Sequence, residues 1–278
     1  MTSIAVQRRL NRLMDPATGR TVIVPVDDSL IFGPVAGLQR MDSALQQICQ
    51  GEPNAILGFA GQLERYCEIV KDVPWIINLT ASTTLSQHTR KRLIMNVREA
   101  LEHGCDAVAV HVNVTSEYAS EMLQSLSDVL ADSRRYGLPV LAIMYPRGET
   151  SDGSDENYIA MRESEPDGYT ALIAHAVRIA VDLGAAIVKT HYTGSAASFA
   201  RVVEAAGAVP VLISGGPLAD SESMLRTAAE AVSAGAAGVS FGRNVFSRNQ
   251  PWRMIRALKD VVLNGASPDE AQSRHTPQ

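Results

Sequence analysis

The chain has 278 residues, 46% of them hydrophobic, with a net charge of -5 and a mean hydropathy near zero. That balance suits one soluble globular domain with a large core, and the lack of any basic stretch interleaved with aromatics argues against nucleic acid as a partner. No apolar run approaches the ~18 residues of a membrane helix, and the short basic segment 7–12 lacks the apolar core of a signal peptide.

Taken in order, residues 1–20 form a polar N-terminal extension with a short helix, closed by the Asp15-Pro16 and Gly19 turn signals. Residues 21–27 then read as a buried strand ending in carboxylates, although Pro25 would normally demote it. A helix is expected around 41–49, a strand at 54–58 and a helix at 62–71. Next come a strand at 75–79, a polar Ser/Thr loop and a helix at 91–103. Strand 106–112 leads to a long helix over 116–136, whose Met122, Leu123, Leu126, Val129 and Leu130 recur at helical spacing and belong to the core. Strand 139–144 precedes a polar stretch, 149–166, that reads as a long loop, a lid or an oligomer contact. A helix over 168–183 brings the chain to Ala185-Ala186-Ile187-Val188-Lys189, an apolar strand that carries a lysine out of the core. Helix 196–206, strand 209–213, helix 220–234, the strand segment 237–243 and helix 251–263 complete the pattern, and residues 265–278 form a polar tail expected to fray. Eight short apolar runs alternating with helices indicate parallel strands joined by right-handed crossovers. Eight such units in one domain spanning 1–278 give the fold class α/β, a (β/α)8 TIM barrel. An open doubly wound sheet would want G-x-G-x-x-G after the first strand, where this chain has Asp27-Asp28-Ser29.

In such a barrel the C-terminal strand ends share one mouth, where the chemistry sits. The side chains placed there are Asp27 and Asp28, His111 and Asn113, Tyr145 and Arg147, Lys189, His191 and Tyr192, Ser214-Gly215-Gly216, and Gly242-Arg243-Asn244. The glycines after the seventh and eighth strands suit phosphate, held by bare backbone N–H groups with Arg243 adding charge. A lysine beside a tyrosine and an aspartate suits covalent amine chemistry: a neutral amine attacks a ketone, and the protonated Schiff base then serves as an electron sink. An apolar strand and the nearby Arg147 and Arg243 favour that neutral form. Tyr145 is placed to move protons, and Asp27 to act as base or to hold a substrate hydroxyl. His111, Asp27, Asp28 and His191 offer N/O donors, but no HxH or HExxH spacing supports a metal site. The odd count of Cys49, Cys67 and Cys105, without CxxC spacing, points to reduced thiols and a cytoplasmic location.

At these residues the chain resembles the class I, Schiff-base aldolases of the archaeal fructose-bisphosphate aldolase and 2-amino-3,7-dideoxy-heptulosonate synthase family. The likeness runs from Val22 to about Val262 and rests on Val24-Pro25-Val26-Asp27 with Gly33-Pro34, Val108 to Val114 with Glu121-Met122, and Tyr145-Pro146-Arg147-Gly148. Ile187-Val188-Lys189-Thr190 with Tyr192-Thr193-Gly194-Ser195, Ser214-Gly215-Gly216-Pro217 and Gly242 to Phe246 complete it. The resemblance implies a metal-independent lyase without a cofactor, in which Lys189 forms the Schiff base, Tyr145 is the acid/base and Asp27 joins in proton transfer. It also implies a phosphate held by the loops after the seventh and eighth strands, and a homo-oligomer such as a decamer; from their place at the mouth, Asp28, His111, Arg147, His191, Ser214, Gly215, Gly216, Gly242 and Arg243 are the candidate contacts for a phosphorylated substrate such as a ketose or dihydroxyacetone phosphate. One departure stands out: family members usually carry Asp-His-Gly where this chain has Asp27-Asp28-Ser29. The extra carboxylate would suit an ammonium-bearing acceptor such as aspartate semialdehyde, as in the biosynthesis of amino-sugar acids or aminohydroxybenzoates. The alternatives are a phosphosugar isomerase and a non-catalytic sugar-phosphate-binding barrel. Asn78, His111, Asn113 and His191 are the expected acceptor-pocket walls.

Overall fold

The structure, a computed structural model, describes residues 3–151, 154 and 156–275. Its strands in chain order are β1 (Thr21–Pro25), β2 (Ala55–Gly58), β3 (Trp75–Asn78), a small hairpin of β4 (Thr80–Ala81) and β5 (Arg92–Leu93), β6 (Ala107–Asn113), β7 (Val140–Tyr145), β8 (Ile187–Thr190), β9 (Val211–Ser214) and β10 (Gly238–Ser240). All but β4 and β5 pair in parallel and close a barrel in the order β1-β10-β9-β8-β7-β6-β3-β2. This is the expected (β/α)8 architecture.

Two buried layers explain why the strands are apolar throughout. Val22, Val24, Val108, Val110, Val188 and Ile213 face outward into the contact with the helices. Their neighbours Ile23, Ala107, Ala109, Leu141, Ile143, Ile187 and Leu212 face inward and fill the barrel. Because side chains alternate along a strand, the residue two positions beyond an inward one is also inward. Tyr145 follows Ile143, His111 follows Ala109, Lys189 follows Ile187 and Ser214 follows Leu212. Strand parity alone turns these polar side chains toward the mouth.

Pro25 ends β1 without disrupting it. Thr21 donates to Ala237 and Phe241 donates to Ile23, so the odd positions of β1 bond toward β10. The donor that Pro25 lacks falls beyond Ser240, where β10 has already ended. Gly238 is needed where β10 begins: its φ is +140°, and a Cβ there would overlap the Thr21 carbonyl oxygen.

The helix Ile4–Leu13 lies across the N-terminal end of the barrel. Leu13 is fully buried in the inner layer, its carbonyl accepts from Thr21 Oγ1 at 2.7 Å, and Arg12 pairs with Asp106 at 2.7 Å. Three expectations need correction. The helix expected over 91–103 begins only at Val97, because Asn96 and Glu99 form a reciprocal capping box, and the residues before it pair as β5. The polar stretch 149–166 is not one long loop. Helix Asn157–Ser164 occupies it, with Tyr158 buried and Ile159 and Met161 against the core, and a second helix starts at Pro166. The tail does not fray through its described part either, since helix Pro268–His275 buries Ala271 and His275 reaches Asp260 at 3.1 Å. Among the described residues no helix is long and apolar enough to cross a membrane.

Candidate active site

At the C-terminal strand ends a cavity of about 210 Å³ opens. Lining it are Lys189, Tyr145 and Asp27, together with Asp28, His111, Arg147, His191, Ser214, Gly215, Gly216, Gly242 and Arg243; Tyr192, also expected at the mouth, lines the neighbouring pocket instead. Asn78 and Asn113, expected as acceptor-pocket walls, stand behind the cavity. Asn78 Nδ2 donates to Asp27 Oδ2 at 2.9 Å, while its Oδ1 accepts from both the Thr80 N–H and the Thr80 hydroxyl. Thr80 Oγ1 in turn accepts from the His111 N–H at 2.9 Å. Asp27, on the loop after β1, is thereby tied to β3, the hairpin and β6. Asn113 donates to the Thr89 carbonyl at 2.7 Å and fixes the return of the hairpin.

Lys189 sits on β8 with Ile143 of β7 and Leu212 of β9 opposite it. It is 7% exposed, and its Nζ lies 6.0 Å from the centre of the Tyr145 ring. That ring meets His111 edge-on at 4.8 Å and His191 at 4.3 Å, and Arg147 lies 5.4 Å from it. His191 Nδ1 is 3.2 Å from the Tyr169 hydroxyl. Burial holds both imidazoles well below the ordinary histidine range. For His111 the cations Lys91, Arg147 and Lys189 add to the effect; for His191 it is Arg147, Lys189 and Arg162.

The two histidines are therefore neutral in the fold, whereas in the unfolded chain they take up protons below about 6.5. The unfolded state binds more protons, so stability is present above that pH and falls as pH drops toward the depressed native values, by about 1.4 kcal/mol per pH unit for each group. Urea unfolding of the wild type between pH 7 and 5 is expected to show this slope, and His111→Gln is expected to flatten it. Identical slopes for the two proteins would refute the account.

The glycine loops form the opposite wall. Asn244, 1% exposed, staples them: its Nδ2 donates to the carbonyls of Gly215 (2.9 Å) and Pro217 (2.8 Å), and its Oδ1 accepts from the Ala219 N–H at 2.8 Å. Arg243 reaches Asp28, Nε to Oδ2 at 3.4 Å. Burial and the neighbouring Asp27 push the Asp28 carboxyl up, while Arg243, Lys189 and Arg147 pull it back. Asp28, read above as a receptor for an ammonium group, is engaged by an arginine.

Sequence reasoning missed Lys91, Phe32, Glu156 and Tyr158, all of which line the cavity. Lys91 belongs to the run Arg90-Lys91-Arg92, which reads as solvated surface. On the hairpin their surroundings separate the three. Arg90 and Arg92 turn out to Glu121 at 2.8 and 3.4 Å, while Lys91 turns in and is 3% exposed. Lys91 directly precedes β5, whose two residues are both exposed, so no strand periodicity marks it in the sequence. Among the described residues, no three His, Cys, Asp or Glu side chains converge as a metal site would require.

Comparison with known proteins places this geometry. Residues 21–248 match the DeoC/LacD family of aldolases. The 2-amino-3,7-dideoxy-D-threo-hept-6-ulosonate synthase of Halobacterium salinarum is 37% identical over 275 residues, covering 99% of this chain and 97% of that protein. The 2-amino-4,5-dihydroxy-6-oxo-7-(phosphonooxy)heptanoate synthase of Streptomyces griseus is 36% identical over 273 residues, covering 95% and 93%. Among solved structures, an archaeal fructose-1,6-bisphosphate aldolase with its catalytic lysine covalently bound to the carbinolamine intermediate superposes with a TM-score of 0.79 at 29% identity, over 92% of this chain and 99% of that one.

Proposed function

The chain belongs to the DeoC/LacD aldolase family, and since an archaeal fructose-1,6-bisphosphate aldolase similar to it carries its substrate on a catalytic lysine, we propose that it joins dihydroxyacetone phosphate to an amino-acid aldehyde through a Schiff base on Lys189. The observation that carries this reading is the inward turn of Lys189 into a cavity shared with Tyr145 and Asp27. The substrates follow from chemistry. The heptanoate in the name of the S. griseus relative has its ketone at C6 and a hydroxyl on C4. An aldol disconnection between C4 and C5 leaves dihydroxyacetone phosphate and 2-amino-4-oxobutanoate. The dideoxy product of the H. salinarum relative lacks oxygen at C7, so the two relatives share the acceptor half and differ in the donor. A phosphorylated donor is favoured here by the paired glycine loops and Arg243.

In this reading the Lys189 amine adds to the donor ketone, and Tyr145 delivers the proton with which the carbinolamine hydroxyl leaves as water. Loss of a proton from the hydroxymethyl carbon gives the enamine. Asp27, whose one carboxylate oxygen is held by Asn78, is the candidate to hold the hydroxyl on that carbon or take the proton. The enamine carbon attacks the aldehyde, the new alkoxide is protonated, and water hydrolyses the imine to return the free lysine. Arg243, shared with Asp28, balances the donor phosphate. The same proposal takes the protein to be a cytoplasmic homo-oligomer that acts on small molecules rather than on nucleic acid or membranes.

The test is borohydride reduction in the presence of dihydroxyacetone phosphate, followed by peptide mass spectrometry. A reduced adduct on the Lys189 peptide is expected, together with a seven-carbon product once 2-amino-4-oxobutanoate is added. No adduct with this donor or with fructose bisphosphate would overturn the reading. Turnover of a phosphosugar that survives borohydride would favour isomerisation.

A further inference from the structure

Asp28 has no step in the chemistry derived so far, yet it lines the cavity beside the glycine loops. It opens the short helix Asp28–Phe32, directly after Asp27. Arg243, on the loop after β10, lies over that helix: its Nε is 3.4 Å from Asp28 Oδ2, and its guanidinium carbon is 5.9 Å from the centre of the Phe32 ring. The pair is open to the mouth, since the arginine side chain is 44% exposed and the aspartate 22%. Burial and Asp27 push the Asp28 carboxyl up, and Arg243, ahead of Lys189 and Arg147, is the cation that holds it down. The ion pair with Arg243 is what keeps two consecutive carboxylates compatible at this strand end.

The same arginine is the cation assigned above to the donor phosphate, next to Gly242 and sharing the cavity wall with Gly215 and Gly216. A phosphate monoester carries close to two negative charges at neutral pH. Seated against Arg243, it meets a guanidinium that is already paired and a carboxylate beside it. Each anion weakens the other's hold on the one cation, so the phosphate is held only by the difference between two ion pairs. Donor and aldol product carry the same phosphate, and a group bound equally in both lowers KM without raising kcat. A carboxylate ready to retake the arginine keeps that binding loose enough for the product to leave. We propose that Asp28 is the counter-ion that the donor phosphate displaces from Arg243, and that this exchange makes Asp28 the residue that limits how tightly phosphorylated ligands are held. The inference rests on the aldol reading above and deepens it.

The experiment titrates the full-length protein with inorganic phosphate by calorimetry and measures KM for dihydroxyacetone phosphate and for dihydroxyacetone. In Asp28→Asn the phosphate Kd and the KM for dihydroxyacetone phosphate are expected to fall by about 10-fold, the scale of removing one like charge beside a half-exposed anion. The KM for dihydroxyacetone, which has no phosphate, is expected to stay where it is. Asp28→Ala, which removes the carboxylate altogether, is expected to behave like the asparagine variant. In Arg243→Met the phosphate Kd is expected to rise, and adding Asp28→Asn to it is expected to recover little, because the two side chains act through one ion pair. A damaged fold does not tighten a ligand selectively, so the expected gain is separable from misfolding. Unchanged or weaker phosphate binding by Asp28 variants with a wild-type thermal midpoint would overturn the inference. So would an equal gain for dihydroxyacetone, or the full gain persisting without Arg243. A wild type that forms no Lys189 adduct with the donor would overturn the aldol reading instead; the phosphate titration needs no turnover, so the two failures are distinguishable.

Discussion

Lys189→Met is expected to lower turnover by about 10^5-fold or more, the scale seen when an enzyme loses its nucleophile. The substitution keeps the apolar stem that packs between Ile143 and Leu212 and removes only the amine, so the barrel should fold. Lys189→Arg is the sharper control. A guanidinium stays protonated and cannot attack a carbonyl, yet it preserves the positive charge beside Asp27, Asp28 and Tyr145. If the lysine served only to hold a substrate anion, the arginine variant would retain much of the activity; as a nucleophile it is replaceable by neither residue. The borohydride adduct should vanish in both variants. An adduct that moved to the peptide carrying Lys91, the other lysine among the described cavity residues, would relocate the nucleophile to the hairpin and refute the assignment.

Tyr145→Phe is expected to cost about 10^2- to 10^4-fold in turnover, the usual worth of a placed general acid/base. The ring is held by its contacts with His111 and His191, which phenylalanine keeps, so the thermal midpoint should hardly move. The loss should fall on kcat more than on KM, because the hydroxyl acts while the carbinolamine loses water and contributes little to donor binding. Trapping should slow in parallel, since borohydride reduces the imine and not its hydrated precursor. A variant that turns over normally would leave Tyr145 a packing residue, and the proton would then have to come from elsewhere.

The barrel was legible because its strands are buried on both faces. Runs such as Ala107–Val110 and Val140–Met144 are apolar without alternation, which separates parallel from antiparallel sheet, and their strand-end residues followed from the parity of their own strands. Lys189, Tyr145 and His111 needed only the parity of their own strands to be aimed inward. What escaped was whatever depended on short or polar elements. The hairpin β4–β5 has two residues in each strand, too few for any period to register, and it carries Lys91. The helix Asn157–Ser164 is short and flanked by Asp, Glu and Ser, so its apolar residues Tyr158, Ile159, Ala160 and Met161 fall in one run that shows no helical spacing. Asn78 and Asn113 were identified as near the mouth, but whether an amide faces a cavity or braces a neighbour is decided by tertiary contacts such as those to Asp27 and Thr89.

The inner layer of the barrel, with Leu13 of the helix Ile4–Leu13 among its buried residues, leaves the C-terminal mouth as the way in to Lys189. Both reactants must pass through it, and so must the product. The ketone has to reach Lys189, down on β8, before the aldehyde can meet the enamine, so the order of arrival follows from the shape of the vessel. An aldehyde that comes first blocks the passage, and the enzyme should therefore be inhibited by excess acceptor, competitively against the donor.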